Sequence, residues 1–243
     1  MEIDPDVKQK IQIVLALAIA VAAVRTGYIL YERYTSNRAE TRSQAAAPPL
    51  NPDYYVTPKK LYPYDLKSAR QLTRQPVWVK EGYRYFYYPY NPTTHRTDFT
   101  HDAGLLLPIQ RLEIKDVVTD AVPGLVGQKA VMALFEQDGK TYAFQVGILK
   151  DGEYKIYSDE MLYVQDPREL YKHWPADVWQ FVEQHQVKPG MNEMQADFAI
   201  GMGRPDRQDD PSWKTVHYPN GGSPLTITYH DGKATEIKAD KPS

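Results

Sequence analysis

The sequence contains no cysteine. Disulfides, thiolate catalysis, cysteine metal sites and a lipid-modified N-terminal cysteine are therefore excluded. A basic excess is missing too. Lys and Arg number 29 against 31 Asp and Glu, a formal net charge of −2. Nucleic-acid binding is not expected, because it needs a basic face or tail. Histidine is scarce, at 6 residues. No Walker loop, Gly-x-Gly-x-x-Gly, Gly-x-Ser-x-Gly or His-Glu-x-x-His motif occurs, so the phosphate-loop, dinucleotide, serine-hydrolase and zincin signatures are absent. The one suggestive cluster is His95, Asp98, His101 and Asp102. Two histidines and a carboxylate can hold zinc, but Arg96 lies among them and a solvated loop is the better reading. His173, His185, His217 and His230 are scattered and read as structural or exposed. No catalytic, cofactor-binding or metal residue is assigned, no cofactor or small-molecule substrate is expected, and the chain reads as a non-enzyme.

What is present begins with an apolar run. Ile11 to Tyr31 reads IQIVLALAIAVAAVRTGYILY. A helix of that length spans about 31 Å, enough for a bilayer. A transmembrane helix is expected over 11–34, after a tail at 1–10. A cleaved signal peptide is the runner-up, disfavoured because MEIDPDVKQK is not net basic. Arg25 is the charged residue of the 11–31 run, close enough to its end to snorkel. Ala16, Ala20, Ala23 and Gly27 fall on one face and mark it for packing against another helix. The implied partners are integral membrane protein subunits and the lipid bilayer.

Residues 35–71 read as a Pro/Ala/Tyr-rich linker or strap. Tyr54, Tyr55, Tyr62 and Tyr64 stand there among prolines. Tyrosine offers large contact area at small entropic cost, so these rings are candidate protein contacts. From Val77 the pattern turns to strands. Tyr83, Tyr85 and Tyr87 alternate with Arg84, Phe86 and Tyr88, which would put the first three on one face of a strand. They too are candidate interface residues. Asp138-Gly139, Asp151-Gly152 and Asp231-Gly232 each separate strand-like runs, a hairpin signal. The strands of 72–165 resemble, by pattern alone, a bacterial SH3-like β-barrel.

Asp166-Pro167-Arg168-Glu169 predicts a helix start, with Asp as cap and Pro in the first turn. Further on, Gly190-Met191-Asn192 leads to Gly203-Arg204-Pro205-Asp206. Asn192 is expected to cap a helix with Gln195 completing a capping box, and Gly203 and Pro205 to end it. These residues resemble the SmpA/OmlA (BamE-like) module. The resemblance implies a small α+β envelope domain used for protein contacts, within a helical connector and module over 166–240, and it favours a periplasmic head.

The fold class expected is thus α+β: one N-terminal transmembrane helix, a small SH3-like barrel and a BamE-like module. The function expected is a single-pass inner-membrane scaffold or accessory subunit that stabilises or bridges a larger complex, with a photosynthetic reaction-centre core as the example named. The alternative is an envelope-assembly or cell-wall-binding factor.

Overall fold

The computed structural model describes residues 19–34, 51–207 and 210–241. The chain forms two units, Met1–Tyr54 and Tyr55–Ser243. In the first, residues 19–34 are a helix, α1, and every residue of it is exposed. Its sixteen described residues carry Arg25, Glu32 and Arg33 and span only about 24 Å. No helix among the described residues is long and apolar enough to cross a membrane. That corrects the transmembrane helix expected over 11–34. The inner-membrane, single-pass placement and the periplasmic head fall with it. Residues 11–18 and 35–50, including Ala16, lie outside the described residues.

In the second unit, helix α2 (Leu66–Ala69) is followed by β1 (Val77–Val79), β2 (Phe86–Asn91), β3 (Arg96–Thr97), β4 (Gly104–Leu105), β5 (Arg111–Leu112) and β6 (Ile114–Ala121). Next come β7 (Gln128–Gln137), β8 (Lys140–Lys150), β9 (Glu153–Ile156), α3 (Ser158–Met161) and β10 (Leu162–Tyr163). Helices α4 (Pro167–Leu170), α5 (Ala176–Glu183) and α6 (Glu193–Ile200) precede β11 (Arg204–Pro205), β12 (Trp213–Tyr218), β13 (Leu225–His230) and β14 (Lys233–Ala239). Strands dominate, and this β-rich build corrects the expected α+β class. The main sheet runs β3-β2-β8-β7-β6, with β4 on β2 and β9 on β8. Its order does not close on itself, so a small SH3-like barrel is not what forms.

The three Asp-Gly pairs make the hairpins. Asp138, Gly139, Asp151, Gly152, Asp231 and Gly232 all have positive φ, the backbone that matches the twist of paired strands. The resulting registers are Gln137↔Lys140, Lys150↔Glu153 and His230↔Lys233. Strand β7 is buried without a break from Ala130 to Phe135. Side chains alternate across a strand, so Val131, Ala133 and Phe135 enter one core and Ala130, Met132 and Leu134 a smaller one with Tyr90 and Ala143.

A short sheet, β10-β1-β5, divides the two large cores. On β1, Val77 and Val79 enter the first core while Trp78 packs on the second. On β10, Leu162 and Tyr163 split the same way. The second core gathers aromatic rings. Trp174 stands 5.2 Å from Trp179 and 5.0 Å from Phe198, centroid to centroid. Such pairs add about 0.5–1.5 kcal/mol beyond their buried area. The sheet β11-β12-β13-β14 closes this core.

Helix α6 begins as expected. The Gln195 backbone N–H donates to Asn192 Oδ1 at 2.8 Å, and the Asn192 N–H to Gln195 Oε1 at 2.9 Å. Its end differs. Gly201, with φ of 78°, is the C-cap, so the helix stops two residues before the expected Gly203. Gly203 has another role. A Cβ there would lie 2.4 Å from Val216 Cγ1 and 2.9 Å from the Tyr218 ring. Glycine lets that backbone lie against β12.

Candidate functional site

The strap is fastened by its backbone. In the segment before α2, the Lys59 N–H donates to Gln165 Oε1 at 2.8 Å. Leu61 and Tyr62 N–H both donate to the Asp159 carboxylate, at 3.0 and 2.7 Å. Leu61 and Leu66 pack on the first core. Asp65 then caps α2, accepting from Ser68 N–H at 2.7 Å. Tyr62 takes a φ of 50° to make this path. With the main chain held inward, the rings face solvent: Tyr55 is 67% exposed, Tyr62 75% and Tyr64 76%. In the first unit Tyr54 is 79% exposed.

Tyr83, Tyr85 and Tyr87 do not form one exposed face. Tyr85 and Tyr87 are half-buried and packed on the first core. The Tyr87 ring meets Phe135 at 5.6 Å and Tyr142 at 5.2 Å. Burial, then the Glu81 carboxylate, pushes the Tyr85 phenol up to about 12. Tyr83, with φ of 58°, precedes the strand. Its ring lies against Gly221 and Gly201 and 6.5 Å from His185. Phe86 is the ring of this run that is turned outward, at 49% exposure. In α1, Ala20, Ala23, Gly27 and Arg25 are all exposed, and a Cβ on Gly27 would meet nothing within 4 Å.

The His95–Asp102 loop binds itself. Thr100 donates from its N–H and hydroxyl to Asp98 Oδ1, and His101 Nδ1 lies 3.5 Å from Asp98 Oδ2. The Thr100 hydroxyl and N–H hold the Asp98 carboxyl below its usual range. Among the described residues, no three His, Asp or Glu side chains come together in a way that could hold a metal.

Two features were not visible in the sequence. The first is a cleft of about 530 Å³ lined by Trp78, residues 107–111, Asp166, Arg168, Trp179, Val182, Glu183 and His185. One wall comes from β1 and the turn before β5, the other from α4, α5 and His185. Arg111 pairs with Glu113 at 3.0 Å, and Arg168 pairs with Glu183. Ile109 and His185 hold positive φ, 54° and 53°. For a β-branched residue that conformation is an outlier. The Trp179 indole N–H is buried and has no hydrogen-bond partner among the described residues. Nothing in the chain order joins Trp179 to Trp78.

The second is Asp197, on α6. Burial, then the neighbouring Glu193 carboxylate, pushes its carboxyl up to about 7. The Tyr218 hydroxyl, Lys214 and the Gly203 N–H oppose that rise. Asp197 Oδ1 has no hydrogen-bond partner among the described residues. Lys214 Nζ pairs with Glu193 at 2.5 Å, and the Tyr218 and Tyr229 hydroxyls are 2.8 Å apart. Asp197 is not among the residues lining the cleft.

No family model, curated protein or solved structure matches the chain. The SmpA/OmlA and SH3-like resemblances receive no support from these comparisons.

Proposed function

We propose that the chain is a non-enzymatic interaction protein, a scaffold or accessory subunit that stabilises or bridges a larger protein assembly. The observation that carries this reading is the strap. Its main chain is clamped by Asp159 and Gln165 while Tyr55, Tyr62 and Tyr64 are left two-thirds to three-quarters exposed. Tyr62 and Tyr64, whose own N–H groups are bound, lose little entropy on contact, and buried interfacial tyrosines are frequent hot spots, at about 2 kcal/mol or more each. Integral membrane subunits, the bilayer and a reaction-centre core were inferred from a membrane span that is now corrected. The partner is therefore proposed as a protein surface and nothing narrower. The envelope-assembly alternative rests on the unsupported resemblances alone.

The test replaces Tyr62 by a photo-crosslinking phenylalanine analogue in the organism of origin and identifies the adduct. A second arm replaces Tyr54, Tyr55, Tyr62 and Tyr64 together by Ala. The expected outcome is one dominant protein adduct, and loss of association in the fourfold variant at an unchanged melting temperature. Undiminished association of that variant would remove the strap from the interface.

A further inference from the structure

We propose that the cleft between β1 and α5 binds a free α-amino acid with a large apolar side chain. Its volume, about 530 Å³, lies in the range of small-molecule sites. Its walls combine indole and aliphatic surface, from Trp78, Trp179 and Ile109, with charges of both signs. Arg111 and Arg168 stand against Asp166 and Glu183, so the lining is formally balanced. A purely anionic or cationic ligand would leave one pair of charges opposed. A zwitterion answers both.

The polar groups have capacity to spare. A guanidinium carries five N–H donors. Arg111 meets Glu113 through one nitrogen, Nη2, and Arg168 meets Glu183 likewise through Nη2. Both can accept a carboxylate as well. His185 Nδ1 lies 3.1 Å from the Ala199 carbonyl oxygen. A carbonyl only accepts, so Nδ1 donates, and in the neutral ring Nε2 keeps a lone pair that can accept a hydrogen bond from an ammonium. Ile109, on the wall of the cleft, is held at a positive φ of 54°, and strained backbone of this kind clusters at ligand sites.

The test follows the indole N–H resonances of the full chain by NMR during titration with L-phenylalanine. Phenylacetate lacks the ammonium, phenethylamine lacks the carboxylate, and N-acetyl-L-phenylalaninamide lacks both charges. L-Phenylalanine should give saturable shifts of the Trp78 and Trp179 signals, with each of the other three binding at least about tenfold more weakly. Arg111→Gln should weaken L-phenylalanine about tenfold and leave phenethylamine unchanged. Glu183→Gln should weaken it similarly and leave phenylacetate unchanged. Both side chains are more than half or nearly half exposed, at 55% and 49%, and melting curves would verify folding. No saturable shift at ligand concentrations up to about 10 mM would overturn the proposal. So would binding of the doubly capped compound as tight as that of L-phenylalanine.

Discussion

Asp197→Asn should stabilise the protein above neutral pH and leave it nearly unchanged in acid. The side chain is partly buried at the edge of the second core, beside Glu193 and Tyr218, with Lys214 paired to Glu193. Burial moves its carboxyl from the ordinary 3.8 to about 7. Each pH unit of such a displacement corresponds to about 1.4 kcal/mol, so the ionised form costs the fold roughly 4 kcal/mol. The sign follows from proton counting. Below pH 3.8 both folded and unfolded chains hold the proton, and no penalty exists. Between that value and about 7 the folded chain holds a proton that the unfolded chain has released, so stability falls as pH rises. Above it both forms are ionised and the full penalty remains. Asparagine matches the shape, has no charge and escapes the whole sequence. Urea denaturation of parent and variant at intervals between pH 4 and pH 8 isolates the effect, because titrating groups not coupled to Asp197 cancel in the difference. The two curves should meet near pH 4 and diverge by roughly 4 kcal/mol at pH 8. A difference independent of pH, or an Asn variant less stable than the parent at pH 8, would refute the reasoning.

Asp120 should show the opposite pH dependence. It is 3% exposed and, although burial raises its carboxyl, hydrogen bonds from the Thr97 N–H, Arg96 and the Ala121 N–H bring it below the usual range. Its contribution is therefore present at neutral pH and lost as pH falls through the acid range. Asp120→Ala should cost about 1–3 kcal/mol at pH 7, chiefly because the Thr97 N–H loses its acceptor, and the deficit should shrink in acid. Gly203→Val should destabilise by about 2 kcal/mol or more, since its first side-chain atom already overlaps Val216 at 2.4 Å; a melting temperature equal to the parent's would contradict the packing role. Asp159→Ala should cost about 1–3 kcal/mol and speed hydrogen exchange of the Leu61 and Tyr62 amides, while the hairpin amides of β7 and β8 keep their protection.

Local chemistry was legible where a few neighbouring residues decide the outcome. The Asp-Gly turns need only two residues with positive φ, and Asn192 with Gln195 needs only a spacing of three. The end of α6 was misplaced because Gly201 and Gly203 look alike in sequence. One carries positive φ and the other admits Val216, and a strand some ten residues on decides between them. The segment from Leu105 to Val118 is shared among β4, β5 and β6. Gln110 N–H bonds to Leu107 O, and Ile109 turns to positive φ. Tyr85 and Tyr87 obey alternation, yet the core Tyr87 meets is built by β7 and β8, far along the chain, and Tyr83 turns elsewhere. The cleft was invisible for the same reason. Its walls are brought together by the pairing of β1 with β5 and β10. The membrane span was inferred from apolarity and length. The described helix has neither enough residues nor a charge-free length.

The fastening of the strap has a mechanical consequence. Tension entering the second unit through residue 55 reaches the fold at Val56, packed on the second core, then at Lys59, then at Leu61 and Tyr62, whose N–H groups share a single carboxylate. Asp159 is thus the point at which a pull becomes a load on α3, and through the Asp159 carbonyl on Lys80. Because Leu61 and Tyr62 are adjacent and donate to the same group, they resist together and yield together. At Asp159 the attachment behaves as a latch with one release, which loads only after the separate Lys59–Gln165 bond has opened. A bound partner gripping the rings of Tyr62 and Tyr64 would pull on that same latch. Its grip and the strap's hold on the body would then fail at one place.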